Sequence, residues 1–274
     1  MHANHWQLND IPWDQFAPEK LDGELLKIIK AAALVEYGGN RYAQYLCNVF
    51  PDDPVFQQAA KDWAVEEVQH GTALGQYAMM ADPDFDFETA YRRFLDGYTF
   101  NTDAAESVRG SRSGELIARC IVETGTSSYY TALAEATEEP VLQAICRNIA
   151  ADEFRHYKLF YTHLKKYLDK EELSKLERLK IGLGRVGESE DDELAFAYYA
   201  ANVTPDQTYS RDYYTKAYMA RAYKYYKPEH LDRVVAMVFK ACGLKPHTIW
   251  HGMAHKVAWA AMQHKTRNAQ KAAA

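Results

Sequence analysis

Residues 63–70 read WAVEEVQH and residues 149–156 read IAADEFRH. Each stretch holds Glu-x-x-His, Glu67 with His70 in the first and Glu153 with His156 in the second. On a helix, positions i and i+3 share one face one turn apart, so each pair can direct a carboxylate and an imidazole at a common point. The flanking residues Trp63, Ala64 and Val65, and Ile149, Ala150 and Ala151, are apolar or small, so these polar groups interrupt segments that otherwise read as core. A single Glu-x-x-His arises often by chance and is as easily a solvated ion pair. Two copies in two long helical segments, each with a further acid just before the glutamate, are a stronger signal.

Two other long segments each carry one acid in apolar surroundings: Glu36 within AAALVEYGG and Glu123 within ELIARCIVETGTSS. The set Glu36, Glu67, His70, Glu123, Glu153 and His156 is then one Glu from each of two helices and one Glu-x-x-His from each of two others. That is the donor pattern of carboxylate-bridged di-iron or di-manganese helix bundles. A buried carboxylate without a partner is costly. Four carboxylates around two divalent cations balance charge, and one histidine per metal leaves positions open for dioxygen; histidine with carboxylate suits iron, with manganese the alternative. Metal-bound imidazoles usually give their second N–H to a carboxylate or carbonyl. In an antiparallel bundle Asp152 is placed to hold His70, and Glu66 to hold His156.

The rest of the chain is helical in period almost throughout. One segment runs from about Asp22 to Phe50. A second opens at Asp53-Pro54, a capping acid before a first-turn proline, and runs to about Ala81. Others cover about Ser113–Thr137 and, from Glu139-Pro140, to about Leu168, with a shorter helix through ETAYRRFLDGY (88–98) between the second and third. The four long segments predict an all-α four-helix bundle at about 22–170, within one domain spanning 1–274. Additional C-terminal helices occupy about 171–267. Among them, Ser189 followed by Glu190, Asp191, Asp192 and Glu193 is a helix start, with further helices at about 210–226, 228–242 and 246–267. Gly243 is placed to end the helix before it, and the tail after Arg267 is expected to fray.

Of 274 residues, 47% are hydrophobic and 26% charged, which excludes a disordered or collagen-like chain. Fourteen glycines and nine prolines are too few for a many-stranded β protein with its frequent turns. Cys47, Cys120, Cys146 and Cys242 lie far apart and form no CxxC, and read as mostly buried thiols of a reducing compartment. There is no membrane span, and the start of the chain lacks a basic segment followed by an apolar one; the expectation is a cytoplasmic protein with no nucleic-acid partner. The net charge of −6 is uneven: after Tyr209 there are 12 basic and 3 acidic residues, leaving 20 and 35 for the remainder. The basic part, with Arg211, Lys216, Arg221, Lys224 and Lys227, either docks an acidic partner or pairs with the acidic bundle.

WAVEEVQHGTALGQY resembles the second bundle helix of soluble acyl-[acyl-carrier-protein] desaturases, and ICRNIAADEFRHYKLF resembles their fourth. Glu123-Thr-Gly-Thr126 is similar to their third helix, with a threonine one turn after the ligand Glu. The resemblance covers roughly Leu25 to Leu168. It implies a ferritin-like di-iron fold with two Fe ions per subunit, and a dioxygen-dependent oxidoreductase that desaturates or hydroxylates an acyl chain, carried on acyl carrier protein. It also implies an electron donor such as ferredoxin and a homodimer. Other di-iron oxidations, such as N-oxygenation or aldehyde oxidation, stay open, as do iron storage or peroxide scavenging in the ferritin or rubrerythrin manner, and a metal-free interaction role. The scattered cysteines argue against a rubredoxin-like knuckle.

Three features remain open at this level. Thr126 is either a proton relay beside the metals or a hydroxyl bonded back to its own helix. Gly38-Gly39 inside a helix costs about 1 kcal/mol each against alanine, and either opens space beside the metals or marks close packing or a kink. His247, His251 and His255 fall at i, i+4 and i+8; with Trp250, Met253 and Trp259 nearby they read as packing or surface residues rather than a zinc stripe, since zinc sites usually draw on more than one segment.

Overall fold

A computed structural model describes residues 5–188, 192–204 and 206–273. Among these residues the regular structure is helical, with no strand. Two of the long helices start where the capping signals predict. The side chain of Asp53 accepts the Phe56 N–H at the head of α3 (Pro54–Ala81), which follows α1 (Gly23–Tyr37) and α2 (Gly39–Val49). After α4 (Phe87–Gly97), Ser111 caps α5 (Arg112–Ala136), and Glu139 accepts from Leu142 N at the start of α6 (Pro140–Glu171). The short link between α5 and α6 makes them an antiparallel pair with an extensive interface, and α1 and α2 pack along α3.

The first long segment is not one helix. It breaks at Gly38, whose N–H turns back to Val35 O at 3.0 Å, and restarts at Gly39. The cause is tertiary. A Cβ built on Gly39 would lie 2.5 Å from Glu67 Cβ, and one built on Gly71 would lie 2.4 Å from the backbone nitrogen of Tyr37. α3 presses on the chain on both sides of the break, through the Glu67 side chain at Gly39 and against the Tyr37 backbone at Gly71, so Gly39 and Gly71 serve close packing here and do not open space.

The core comes in two apolar clusters. One gathers α1, the second half of α3, α4, the second half of α5 and the first half of α6, together with α8 (Asp192–Asn202) and α9 (Arg211–Ala222). The other gathers α2 and the opposite halves of α3, α5 and α6, with Met237 and Ala241 of α10 (Pro228–Ala241). α3, α5 and α6 each cross from one cluster to the other, α1 and α2 divide between them at the break, and the crossing level is where the acids and histidines stand.

The C-terminal helices wrap this bundle. α7 (Lys175–Gly187) lies on α5, α8 on α1 and α4, α9 on α8, and α10 on α5; α11 (Ile249–Ala273) packs on α9 and α10. Ser189, Glu190 and Asp191 of the expected helix start lie outside the described residues; α8 is helical from Asp192. Gly243 ends the preceding helix with φ +75°. The tail does not fray at Arg267, because α11 continues to Ala273, with Thr266 and Ala269 buried. No described helix is long and apolar enough to cross a membrane. Cys120, Cys146 and Cys242 are buried free thiols, and Cys47 is partly exposed.

Candidate metal centre

The crossing layer collects all six sequence-predicted donors. Glu36 comes from the last turn of α1, Glu67 and His70 from α3, Glu123 from α5, and Glu153 and His156 from α6. All are buried, His70 completely. Their donor atoms form two groups, each within 4.8 Å of one another: Glu36, Glu67, His70 and Glu153 in one, and Glu67, Glu123, Glu153 and His156 in the other. Glu67 and Glu153 belong to both. Glu36 and Glu123 each belong to one, as does each histidine.

Both histidines are turned the same way. His70 Nε2 meets Asp152 Oδ2 at 3.0 Å and His156 Nε2 meets Glu66 Oε2 at 3.1 Å. These cross-connections, 66 to 156 and 70 to 152, also fix α3 and α6 as antiparallel. The outward nitrogens being engaged, each Nδ1 faces the acids. His70 Nδ1 lies 3.2 Å from Glu153 and 3.7 Å from Glu36, and His156 Nδ1 lies 3.0 Å from Glu67 and 3.6 Å from Glu123. Arg155 ties the outer acids together, reaching Asp152 Oδ1 at 2.5 Å and Glu66 Oε2 at 3.3 Å.

The layer sets four buried carboxylates against one another with only the two imidazoles between them. Burial, with Glu153 and Glu36 beside it, pushes the Glu67 carboxyl well above the usual range. Burial raises Glu123 to about 8, against the opposing pull of His156. Glu153 is buried too, but hydrogen bonds from His156 and His70 hold it well below the usual range. Burial alone lowers an imidazole; Asp152, Glu153 and Glu36 outweigh it at His70 and raise it well above its ordinary value, and Glu123, Glu153, Glu66 and Glu67 do the same at His156.

A pair of divalent cations fits this arrangement. His70 Nδ1 faces Glu153 Oε1 at 3.2 Å and His156 Nδ1 faces Glu67 Oε1 at 3.0 Å, yet none of these four buried atoms, nor Glu123 Oε1, makes an aligned hydrogen bond, although buried polar groups are normally satisfied. These five atoms belong to the residues of the two donor groups, while other buried polar atoms without a hydrogen bond, such as Ser113 Oγ and His163 Nδ1, lie elsewhere. Two cations would satisfy the five and match four carboxylate charges.

Several supporting residues escaped sequence reasoning. The Tyr130 hydroxyl donates to Glu36 Oε1 at 2.6 Å. Glu123, Thr126 and Tyr130 stand at i, i+3 and i+7, one face of α5, which is the one signal that could have marked the tyrosine. Trp6 donates from Nε1 to Asp152 Oδ2 at 2.8 Å and stacks on His70 with ring planes 4° apart. It lies outside any periodic segment. Thr126 Oγ1 lies 2.6 Å from Glu153 Oε2 and 3.2 Å from the carbonyls of Val122 and Glu123, so it contacts a donor carboxylate as well as its own helix.

Beside this layer, an open cleft of about 480 Å³ lies between α3 and α4, lined by Tyr37, Thr72, Gln76, Met79, Phe87 and Tyr91 among others. Tyr37 adjoins Glu36 in the chain, and Thr72 follows His70 by two residues. Five of the basic residues after Tyr209 pair with acids of this chain. Arg221 meets Glu24 at 2.7 Å, Lys224 meets Asp22 at 3.7 Å and Lys227 meets Glu135 at 2.8 Å, while Lys216 and Arg211 meet Asp212 and Asp192. These contacts follow the second of the two expectations for the basic segment, pairing within the chain.

The family model of fatty acid desaturases matches residues 48–180, a little under half of the chain. The matched stretch includes Glu67, His70, Glu123, Glu153 and His156 but not Glu36. It supports a desaturase-type oxidoreductase. No curated protein matches the chain.

Proposed function

We propose that the chain is a ferritin-like, dioxygen-dependent di-iron oxidoreductase that desaturates or hydroxylates an acyl chain. The observation that carries this reading is the sharing of Glu67 and Glu153 between two four-residue donor groups drawn from four helices. Glu67 and Glu153 would be shared by the two metals, Glu36 with His70 would complete the donor set of one, and Glu123 with His156 that of the other. When bound, the iron pair supplies the reduction of dioxygen and the oxidation of an unactivated C–H position.

The chain's own residues have definite tasks in this scheme. Asp152 and Glu66 fix both imidazoles with Nδ1 inward. Tyr130 and Thr126 hold Glu36 and Glu153, and Thr126 has a hydroxyl proton to exchange at Glu153 Oε2. The apolar clusters above and below the layer exclude water from it. The cleft against Tyr37 receives the acyl chain; its volume suits a small ligand, with Tyr37, Met79, Phe87, Tyr91 and Leu95 as the apolar part of a lining that also carries Thr72, Gln76, Glu88 and Arg92. Acyl carrier protein as the carrier, a ferredoxin-type donor and a homodimer are parts of the same proposal. Arg221, Lys224 and Lys227 are not assigned to carrier docking, because each already pairs with an acid of this chain.

The test is turnover. Iron-loaded protein, a chemical or protein reductant, dioxygen and a panel of acyl-carrier and acyl-thioester substrates are incubated, and products are read by mass spectrometry. Loss of two hydrogens or gain of one oxygen in the acyl chain is expected. Peroxide or stored ferric iron as the only products would instead favour scavenging or storage.

A further inference from the structure

Away from the bundle centre, α10 and the head of α11 bring together a second set of metal-binding side chains. Donor atoms of Asp232, His247 and His251 lie within 4.8 Å of one another. We propose that these three residues form a separate site for a single divalent transition cation of the zinc type. His251 is 4% exposed, and its Nε2 stands 3.2 Å from the Asp232 carbonyl oxygen and 3.8 Å from the same residue's Oδ1. Its ring is held edge-on by Phe239, and the His247 ring lies 5.3 Å away from the other side.

Two imidazoles and one carboxylate are the donor types that zinc takes, and three protein donors leave a fourth position for water or the nearby carbonyl. The sequence spacing alone pointed elsewhere. His255, third in the i, i+4, i+8 stripe, faces the Pro228 carbonyl at 3.0 Å and stays outside the group. The third donor comes instead from the preceding helix, so the site draws on two segments and a cation there would clip α11 to α10.

The backbone of His247 bears on the same point. Its φ is +59°, the left-handed region that residues with a Cβ enter at a cost. Glycine or asparagine would sit there more easily. A histidine at this position delivers an imidazole to the Asp232 and His251 donors.

The experiment uses untagged, iron-loaded protein, so that the bundle centre is filled, with iron content followed throughout. Zinc binding is measured by equilibrium dialysis, and site geometry by the visible spectrum of the cobalt-substituted form. One zinc per chain beyond the bundle metals is expected. His247→Ala and Asp232→Asn, both at exposed or half-exposed positions, should weaken zinc binding at least tenfold and remove the cobalt bands while iron content stays constant. His247→Gly controls for folding, because it suits the positive φ: the melting temperature of the zinc-free protein should be unchanged or higher, with zinc binding lost. Zinc uptake absent in the parent protein, or equal in parent and His247→Gly, overturns the assignment.

Discussion

At the scale of the residue, the centre separates two kinds of glutamate. Glu67 and Glu153 serve both donor groups, whereas Glu36 and Glu123 serve one each. Glu67→Gln or Glu153→Gln should therefore empty both positions, while Glu36→Gln or Glu123→Gln should leave about one metal per chain. Elemental analysis of purified variants distinguishes the two patterns; equal loss from all four would remove the bridging distinction. The protonation state adds a second expectation. Glu67 and Glu123 are raised without metal, Glu123 to about 8, and both imidazoles are raised well above their ordinary value by the carboxylates around them. Metal binding must displace the protons these groups hold, so affinity rises with pH and falls as pH drops below about 8. Iron titrations in weak buffer should show proton release on binding; uptake without proton release, and equal affinity at pH 6 and 8, would contradict the assignment.

The six donors were legible in the sequence because their spacing is local and helical, and the polar residues broke apolar runs. The supporting contacts were not. Tyr130 and Glu36 are 94 positions apart, and Trp6 and Asp152 are 146 apart, so only tertiary structure brings them together.

At the scale of the element, α3 and α6 start where the capping residues predict, because a cap is a local interaction. The break between α1 and α2 was not readable as a break, since its cause lies in another helix. Gly39 presses on Glu67 and Gly71 on Tyr37. Gly39→Ala tests this approach. The added methyl meets Glu67 Cβ, so the helices must separate, at a cost of about 1–3 kcal/mol. Chemical denaturation should show that loss together with weaker iron binding, because the displaced residue is itself a donor. A stable variant with normal iron content would show that the break has slack. The basic C-terminal segment gives another test at this scale. Arg221 pairs with Glu24, partly exposed, so Arg221→Glu should lower stability by roughly 0.5–1 kcal/mol. Affinity for an acidic carrier and its salt dependence should not change; a large change in either would return this face to docking.

At the scale of the whole molecule, the fold is two apolar clusters separated by one charged layer. The all-α class follows from periodicity, but the layer's position at the boundary of both clusters is a property of assembly, as are the split of the first long segment and the placing of α7. So is the wrapping of α7 through α11, where tyrosine-rich helices pack on the bundle and the basic side chains find acids of the first helices. The metal-free layer concentrates buried acids with orphaned oxygens, so the metals should also hold the clusters together. A cation that binds only the folded state adds about 4 kcal/mol when present at a thousand times its dissociation constant. The most direct test of the centre is anaerobic reconstitution of the chain with ferrous iron, followed by metal analysis and X-ray absorption or Mössbauer spectroscopy. Two irons per chain about 3.5–4 Å apart, in oxygen-rich coordination with one histidine each, is the expected result. One iron, none, or two sites without metal–metal coupling would contradict the assignment of Glu67 and Glu153 as shared ligands.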